Sequence, residues 1–321
     1  FFAPPPRFAP PRAVARGARG LPTSPLVDTM AAELHVDADT FWSRLARWHS
    51  LWSRSREQHW GGADAVCLAL PKFDDEQERP TYSKSAAMSR SIVGYELSST
   101  VMLLTKTELH VLSGEKKCAL LEGVQGAAAA ASCPVKLVLH RTSKGGNDVA
   151  FGELIKAAKA SLRGARLGIL AKELENFPGV AGNVALAFLD AVDKAGLQKV
   201  EVNVGCAAVL AEKDSGSVDH LKKAAVMSNK VMKHVFIKTM EEVFDDSSRT
   251  KTHSEMATEI DEKIEDPSKL GIKVPPGSID SCFFPIVQSG GSESGFSLKA
   301  SAQTDDNTMT EDVGICSLGA S

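Results

Sequence analysis

The chain has 321 residues, with 37 lysines and arginines against 40 aspartates and glutamates, and a formal net charge of −3. Hydrophobic residues make up 43% of it, which is enough for two domains with cores of their own. No stretch approaches the roughly 20 apolar residues needed to cross a bilayer, so no membrane partner is expected. The six cysteines form no Cys-x-x-Cys pair and the eight histidines no His-Glu-x-x-His motif, which argues against a zinc site and indicates reduced core cysteines.

Residues 1–29 differ in composition from the rest of the chain. They are rich in proline, arginine and glycine, and they hold four arginines against one aspartate. Such a segment cannot build a core, so we expect a disordered leader. A mitochondrial transit peptide is disfavoured because the prolines oppose the amphipathic helix that it requires. The folded chain is therefore expected to begin near Met30.

The first predicted element is a helix with an aromatic face. Apolar residues spaced four, three and four positions apart lie on one side of it: Phe41, Leu45, Trp48 and Trp52. Tryptophans can also act as stacking platforms for nucleic-acid bases, and Trp42 and Trp60 add to the set. The helical spacing favours burial over that alternative.

Short apolar runs separated by turns and helical patterns follow. We predict strands at 65–70, 101–104, 109–112, 135–139, 167–170 and 200–204, with a hairpin at Lys106 and Thr107 and helices at 151–162 and 182–195. Strands that alternate with helices predict an α/β lobe with a mixed sheet flanked by helices. We assign this N-lobe to residues 30–211.

The apolar spacing in residues 212–321 predicts a second lobe. Helical spacing runs from Leu221 to Met240 and from Met256 to Ile264, and strands are expected at 283–287 and 313–318. This part holds 12 basic against 19 acidic residues, whereas residues 30–211 hold 21 against 20. The acidic excess disfavours contact with DNA and would suit a basic protein partner, although solubility alone also explains it.

The polar clusters of the chain do not predict catalysis. Asp261, Glu262, Glu265 and Asp266 are typical of a solvated helix face. Ser289 and its following glycines lack a nucleophile-elbow pattern, and His253 is the last histidine of the chain, so a hydrolytic serine is not expected. Lys144–Asn147 lacks the Gly-Lys-Ser ending of a phosphate loop and predicts a surface turn. We therefore predict no catalytic residue and no cofactor.

Five stretches resemble, in the same order, motifs of one known family. Phe41–Trp52 is similar to the family's "W…R" opening, and Tyr82–Ser85 with Gly94–Leu97 is similar to its "YAKS…GYEL" signature. Leu221–Val231 resembles its "LMRKAASITSEVF" signature. Pro285–Gly291 resembles its "PIIQSGG", and Gly314–Gly319 resembles its "GAITCAMG". The family is the large subunit of the FACT histone chaperone, the complex that dismantles and rebuilds nucleosomes. The matched part is its N-terminal, aminopeptidase-like region.

The resemblance implies an α/β fold in which the N-lobe precedes an incomplete pita-bread (creatinase/aminopeptidase-like) lobe at 212–321, so that the chain is expected to be a fragment. In the metal-dependent relatives of that fold, the positions similar to Phe296 and Ser317 hold a histidine and an aspartate. A phenyl ring and a hydroxyl cannot replace those ligands, so we expect no metal and no enzyme activity. The alternative is a metallopeptidase-like enzyme of the creatinase and aminopeptidase P family.

The resemblance further implies a non-catalytic histone- or peptide-binding module that acts in nucleosome reorganisation during transcription, replication and repair. Expected partners are core histones and, through regions absent here, the small HMG-type subunit of the complex, at chromatin in the nucleus. Direct DNA binding is not expected. The candidate peptide-binding residues are a family-like polar cluster and the Gly-rich turn that would line the cleft: Tyr82, Lys84, Ser85, Ser289, Gly290 and Gly291.

Overall fold

A computed structural model describes residues 34–72, 83–174, 183–246, 248–272, 278–290, 304–311 and 313–321. The predicted leader at 1–29, two of the candidate site residues, Tyr82 and Gly291, and the predicted metal-ligand position Phe296 lie outside these ranges. Across them, every helix is too short or too polar to span a membrane.

The N-lobe is built on a six-stranded mixed sheet. Its strands are β1 (Ala65–Leu70), β2 (Thr100–Leu104), β3 (Glu108–Ser113), β4 (Lys136–Arg141), β5 (Arg166–Ile169) and β6 (Gln198–Glu201), in the order β4-β3-β2-β1-β5-β6. Strand β2 pairs antiparallel with β1 and β3, while the β3–β4, β1–β5 and β5–β6 pairs are parallel. The predicted mixed sheet and the β2–β3 hairpin are confirmed.

Helices cover both faces of this sheet. They are α1 (Ala38–Arg54), α2 (Arg56–His59), α3 (Lys84–Val93), α4 (Glu115–Gln125), α5 (Asp148–Ala160), α6 (Ala171–Leu174), α7 (Val184–Lys194) and α8 (Asn203–Ala211). The strand predicted at 200–204 is wrong beyond Glu201. There the Glu201 carboxylate accepts a hydrogen bond from the Asn203 amide at 2.9 Å, which starts α8 instead.

Alternating side chains of β1 divide the N-lobe into two cores. Val66, Leu68 and Leu70 pack on the side of α1, α3, α4 and α8, whereas Ala65, Cys67 and Ala69 pack on the side of α5 and α7. All six residues are buried, and burial raises the pKa of the Cys67 thiol to about 12. A strand covered on both faces reads as a continuous apolar run, which is why β1 shows no alternation in the sequence.

The four tryptophans lie in the first of these cores. Trp42, Trp48, Trp52 and Trp60 are at most 2% exposed, and Phe41 and Leu45 are fully buried beside them. The predicted aromatic face is therefore confirmed, and the base-stacking alternative is wrong because the indole faces are not accessible.

The second lobe has a smaller core. Helix α9 (Ser215–Val231) continues through a π-helical turn at Met232–Ile237 into α10 (Lys238–Asp245), and α11 (His253–Glu265) follows. Strands β7 (Ile286–Ser289) and β8 (Gly314–Ser317) form an antiparallel pair. Side chains of α9, α11 and β7 supply the buried cluster: Met227, Val231, Met256, Ile260, Ile264 and Val287. The predicted second-lobe helices and the antiparallel strand pair are present, but the first strand lies at Ile286–Ser289, so the strand predicted from 283 is wrong before Ile286.

We expect Gly205→Ala to destabilise the N-lobe. A methyl group at Gly205 in α8 would lie 2.2 Å from Cδ2 of the buried Trp60. Relief of that overlap requires a shift of a packed indole, and we expect a loss of about 1–3 kcal/mol in the free energy of unfolding. Urea denaturation of the full chain measures it.

Gly152→Ala in α5 is the matched control, because a methyl group there meets no atom within 4 Å. An exposed helical Gly→Ala change is expected to stabilise the chain by up to about 1 kcal/mol. Equal unfolding free energies for Gly205→Ala and the unchanged chain would contradict the packing of α8 on Trp60.

Candidate functional site

Three polar side chains meet at the start of α11. Nδ1 of His253 lies 2.5 Å from Oδ1 of Asp305, and its Nε2 lies 2.7 Å from Oγ of Ser289. The backbone amide of Thr310 donates to the same Ser289 oxygen at 3.0 Å. We call His253, Ser289 and Asp305 the α11 network.

Local sequence signals place each member of the network. Thr252 and Glu255 form a capping box that starts α11 and presents His253 in its first turn. Ser289 is the last residue of β7. The amides of His253 and Ser254 donate to the carbonyls of Asn307 and Asp305 at 3.0 Å each, which fixes residues 305–307 against the helix.

Ser289, His253 and Asp305 are hydrogen-bonded in the order found in hydrolases, in which a serine nucleophile, a histidine base and an orienting carboxylate follow one another. The surroundings of the network differ from those of a hydrolase, because Ser289 is 3% exposed and His253 2%. With Nδ1 donating to Asp305, Nε2 of a neutral ring accepts from the Ser289 hydroxyl, whose oxygen is already covered by the Thr310 amide. A substrate carbonyl cannot reach that oxygen, so the network acts as a structural clasp between α11, β7 and residues 305–310.

The clasp also affects the Asp305 carboxyl group. Burial alone would raise its pKa, but hydrogen bonds from His253 and Asn307 outweigh burial, and the pKa of Asp305 is lowered. The charged form of Asp305 is therefore the form that stabilises the fold.

The candidate peptide-binding residues fall into two separate groups. Lys84 and Ser85 begin α3 in the N-lobe, where the Ser85 hydroxyl donates to Oε1 of Glu173 at 2.6 Å. Ser289 and Gly290 are buried at the end of β7 in the second lobe. Among the described residues, no hydrogen bond joins one group to the other.

Of the two positions predicted to replace metal ligands, Ser317 lies among the described residues. Ser317, on β8, pairs with Ile286 on β7. Burial raises the pKa of the neighbouring Cys316 thiol to about 12, so this thiol is not ionised at neutral pH. Within the described ranges, no three histidine, cysteine, aspartate or glutamate side chains are grouped so that they could hold a metal ion.

An open groove of about 1050 Å³ runs beside the clasp along α11. Its charged lining consists of four carboxylates and two lysines: Glu255, Glu259, Glu262, Asp306, Lys251 and Lys263. Glu259 pairs with Lys251 and Glu255 belongs to the capping box, while Glu262 and Asp306 form no ion pair with any residue that the structure describes. We call this the α11 groove. Its net charge is negative.

Comparison with known proteins places the chain in a family. The family model for the FACT complex subunit SPT16 N-terminal lobe domain matches residues 36–205, and the chain belongs to this family. FACT complex subunit SPT16 of Arabidopsis thaliana is 30% identical over 294 residues, which cover 89% of this chain and 26% of that protein. The chain thus spans about a quarter of the length of the curated relatives that it matches.

Solved structures agree with this assignment. The N-terminal domain of FACT complex subunit SPT16 from chickpea superposes with a TM-score of 0.75 at 29% identity, covering 89% of this chain and 64% of that one. A Bacillus anthracis Xaa-Pro dipeptidase aligns with a TM-score of 0.49 at 15% identity, over 87% of this chain and 60% of that one. The likeness to peptidases is therefore distant. The curated relatives from Arabidopsis thaliana and Zea mays are named as subunits of the FACT complex.

We expect Asp305→Asn to destabilise the second lobe in a pH-dependent way. Because the folded pKa of Asp305 is lowered, its contribution is present above the unfolded value near 4 and is lost as the pH falls through the folded value. The variant should lose about 1 kcal/mol of unfolding free energy at pH 7 and much less at pH 3, as measured by urea denaturation at both values.

The neighbouring Asp306→Asn is the control, since Asp306 is exposed and forms no hydrogen bond or ion pair among the described residues. It should leave stability unchanged at both pH values. A deficit for Asp305→Asn of the same size at pH 7 and pH 3 would show that the charge of Asp305 does not stabilise the clasp.

Proposed function

We propose that the chain is a non-catalytic module of a FACT-type histone chaperone that binds core histones during nucleosome reorganisation in transcription, replication and repair. The observation that carries the proposal is its membership of the SPT16 N-terminal lobe family over residues 36–205. The same membership supports a location at chromatin in the nucleus. It also supports assembly with the small HMG-type subunit through regions outside the matched ones.

Charge supports a basic partner. Residues 212–321 hold 12 basic against 19 acidic side chains. The α11 groove concentrates part of this excess in an open surface, with Glu262 and Asp306 unpaired among the described residues. Complementary charge speeds the encounter of two proteins more than it deepens their affinity, so we propose a fast and weak interaction with histone tails.

Burial keeps some of the candidate peptide-binding side chains from contacting a peptide. Ser85 and Ser289 are each 3% exposed, so they would hold the backbone in place and leave peptide contact to neighbouring groups. Lys84 is partly exposed at the start of α3. In this proposal Tyr82 and Lys84 contribute side chains to a secondary peptide contact on the N-lobe, separate from the α11 groove.

We expect the chain to bind a labelled histone tail with a micromolar dissociation constant, on the order of −8 kcal/mol, and duplex DNA more weakly. Binding to the tail should weaken as salt is raised because the contact is electrostatic. Parallel salt titrations by fluorescence anisotropy measure both ligands.

The control for this comparison is the full chain with Arg7, Arg12, Arg16 and Arg19 changed to glutamine, so that the basic leader does not recruit DNA. It should retain histone binding. Tighter binding of this variant to duplex DNA than to the tail at physiological salt would contradict the proposal.

We expect Glu262→Lys to weaken histone-tail binding roughly threefold, since it reverses an exposed charge in the α11 groove. Asp190→Lys makes the same change at an exposed, unpaired carboxylate of α7 in the N-lobe, among the residues described. Equal effects of the two substitutions would mean that net charge, and not the α11 groove, determines binding.

A further inference from the structure

A second groove, of about 480 Å³, has the opposite charge. It lies between α1 and α3 of the N-lobe and the start of α9, and four cationic side chains line it: Arg44, Arg47, Arg90 and Lys213. Its one lining carboxylate, Glu212, pairs with Arg54 at 3.4 Å. We call it the α1–α9 groove.

Most of these cations already have acceptors within the chain. Nε of Arg44 donates to Asp214 at 2.7 Å and its Nη1 to the Ser91 carbonyl at 2.6 Å. Arg90 pairs with Glu96 at 2.8 Å, and Lys213 donates to the Leu210 carbonyl. These contacts neutralise or orient three of the four charges.

Arg47 differs from the other three. Its Nε is enclosed and has no hydrogen-bond partner, and its guanidinium forms no ion pair with any described residue. A buried donor without an acceptor is unfavourable, because folding removes the water that would otherwise bind it. An oxygen anion in the groove cannot reach the enclosed Nε, but it can pair with the other two guanidinium nitrogens, which form no hydrogen bond with a described residue, and a planar guanidinium suits a carboxylate.

The rest of the lining is mixed, with polar residues such as Ser217, His220 and Ser321 beside apolar ones. Leu221, on α9, is 53% exposed, and Ala87, Leu210 and Ala224 adjoin the same space. An exposed leucine beside an unpaired arginine suits a ligand that carries a carboxylate next to an aliphatic side chain. A nucleic acid supplies no aliphatic side chain to pack on Leu221.

We propose that the α1–α9 groove binds an acidic segment of another protein, in which an aspartate or glutamate pairs with Arg47 and a neighbouring aliphatic side chain packs on Leu221. The partner is opposite in charge to the histone tails assigned to the α11 groove. The two grooves therefore give one chain separate surfaces for a basic and an acidic partner.

The test uses the full chain and a fluorescein-labelled peptide of ten residues that alternates glutamate pairs with leucine. Arg47→Gln should weaken its binding at least tenfold, since a charge-assisted hydrogen bond is lost. Arg141→Gln removes an arginine from β4, outside the groove, and should change binding less than twofold. Neither substitution should alter histone-tail binding, which separates this result from that of the proposed function.

A second variant covers the possibility that Arg47→Gln does not fold. Leu221→Glu changes a half-exposed side chain and places a repelling carboxylate in the groove, so it should also weaken the peptide at least tenfold. A peptide with glutamine in place of glutamate should bind at least tenfold more weakly than the acidic one.

Three results would overturn the proposal. One is unchanged peptide affinity in folded Arg47→Gln or Leu221→Glu. Another is displacement of the peptide by duplex DNA at equal charge concentration, which would indicate a general polyanion surface. The third is a chain that dimerises through this groove, shown by dissociation to monomer on Leu221→Glu in sedimentation velocity.

Discussion

Burial of the aromatic face of α1 is the constraint on which the rest of the structure depends. Phe41, Leu45, Trp48 and Trp52 are almost fully removed from solvent against the six-stranded sheet. Indole Nε1 of Trp52 donates to the Ala63 carbonyl at 3.0 Å, so this ring is buried without losing its hydrogen bond. The more exposed side of the same helix carries Arg44, which bonds to Asp214 just before α9. One helix thus anchors the first core and contacts the second lobe.

The two lobes differ in the kind of interaction that holds them. The N-lobe sheet is covered by apolar side chains on both faces, with β1 buried throughout. In the second lobe, apolar packing of α9 and α11 is joined by a polar clasp in which His253 links Ser289 to Asp305. Buried polar groups that are fully hydrogen-bonded specify one arrangement of the chain, and here they fix the backbone beside the acidic groove.

Local patterns predict most of the fold and little of the site. The strands and the aromatic helix follow from apolar spacing, which depends on near neighbours in the chain. Strand β6 ends earlier than the β-branched run at Val200 and Val202 predicts, because α8 begins at Asn203, whose amide donates to the Glu201 carboxylate. The His253–Ser289 contact joins residues 36 apart, and its local signal, a capping box at Thr252, predicts where His253 starts a helix but not what it touches. Arg47 was unremarkable in sequence because its lack of an acceptor is a property of the packed lobes.

The central claim is that the second lobe, through the α11 groove, is the histone-binding surface of a non-catalytic module. Hydrogen–deuterium exchange of the full chain, with and without saturating core histones, tests it most directly because exchange localises binding along the backbone. The account predicts slower exchange at 250–263 and 304–307 upon histone addition, with the N-lobe strands β1 to β3 unchanged. Protection confined to 34–211, or no protection in the second lobe at saturation, would contradict it.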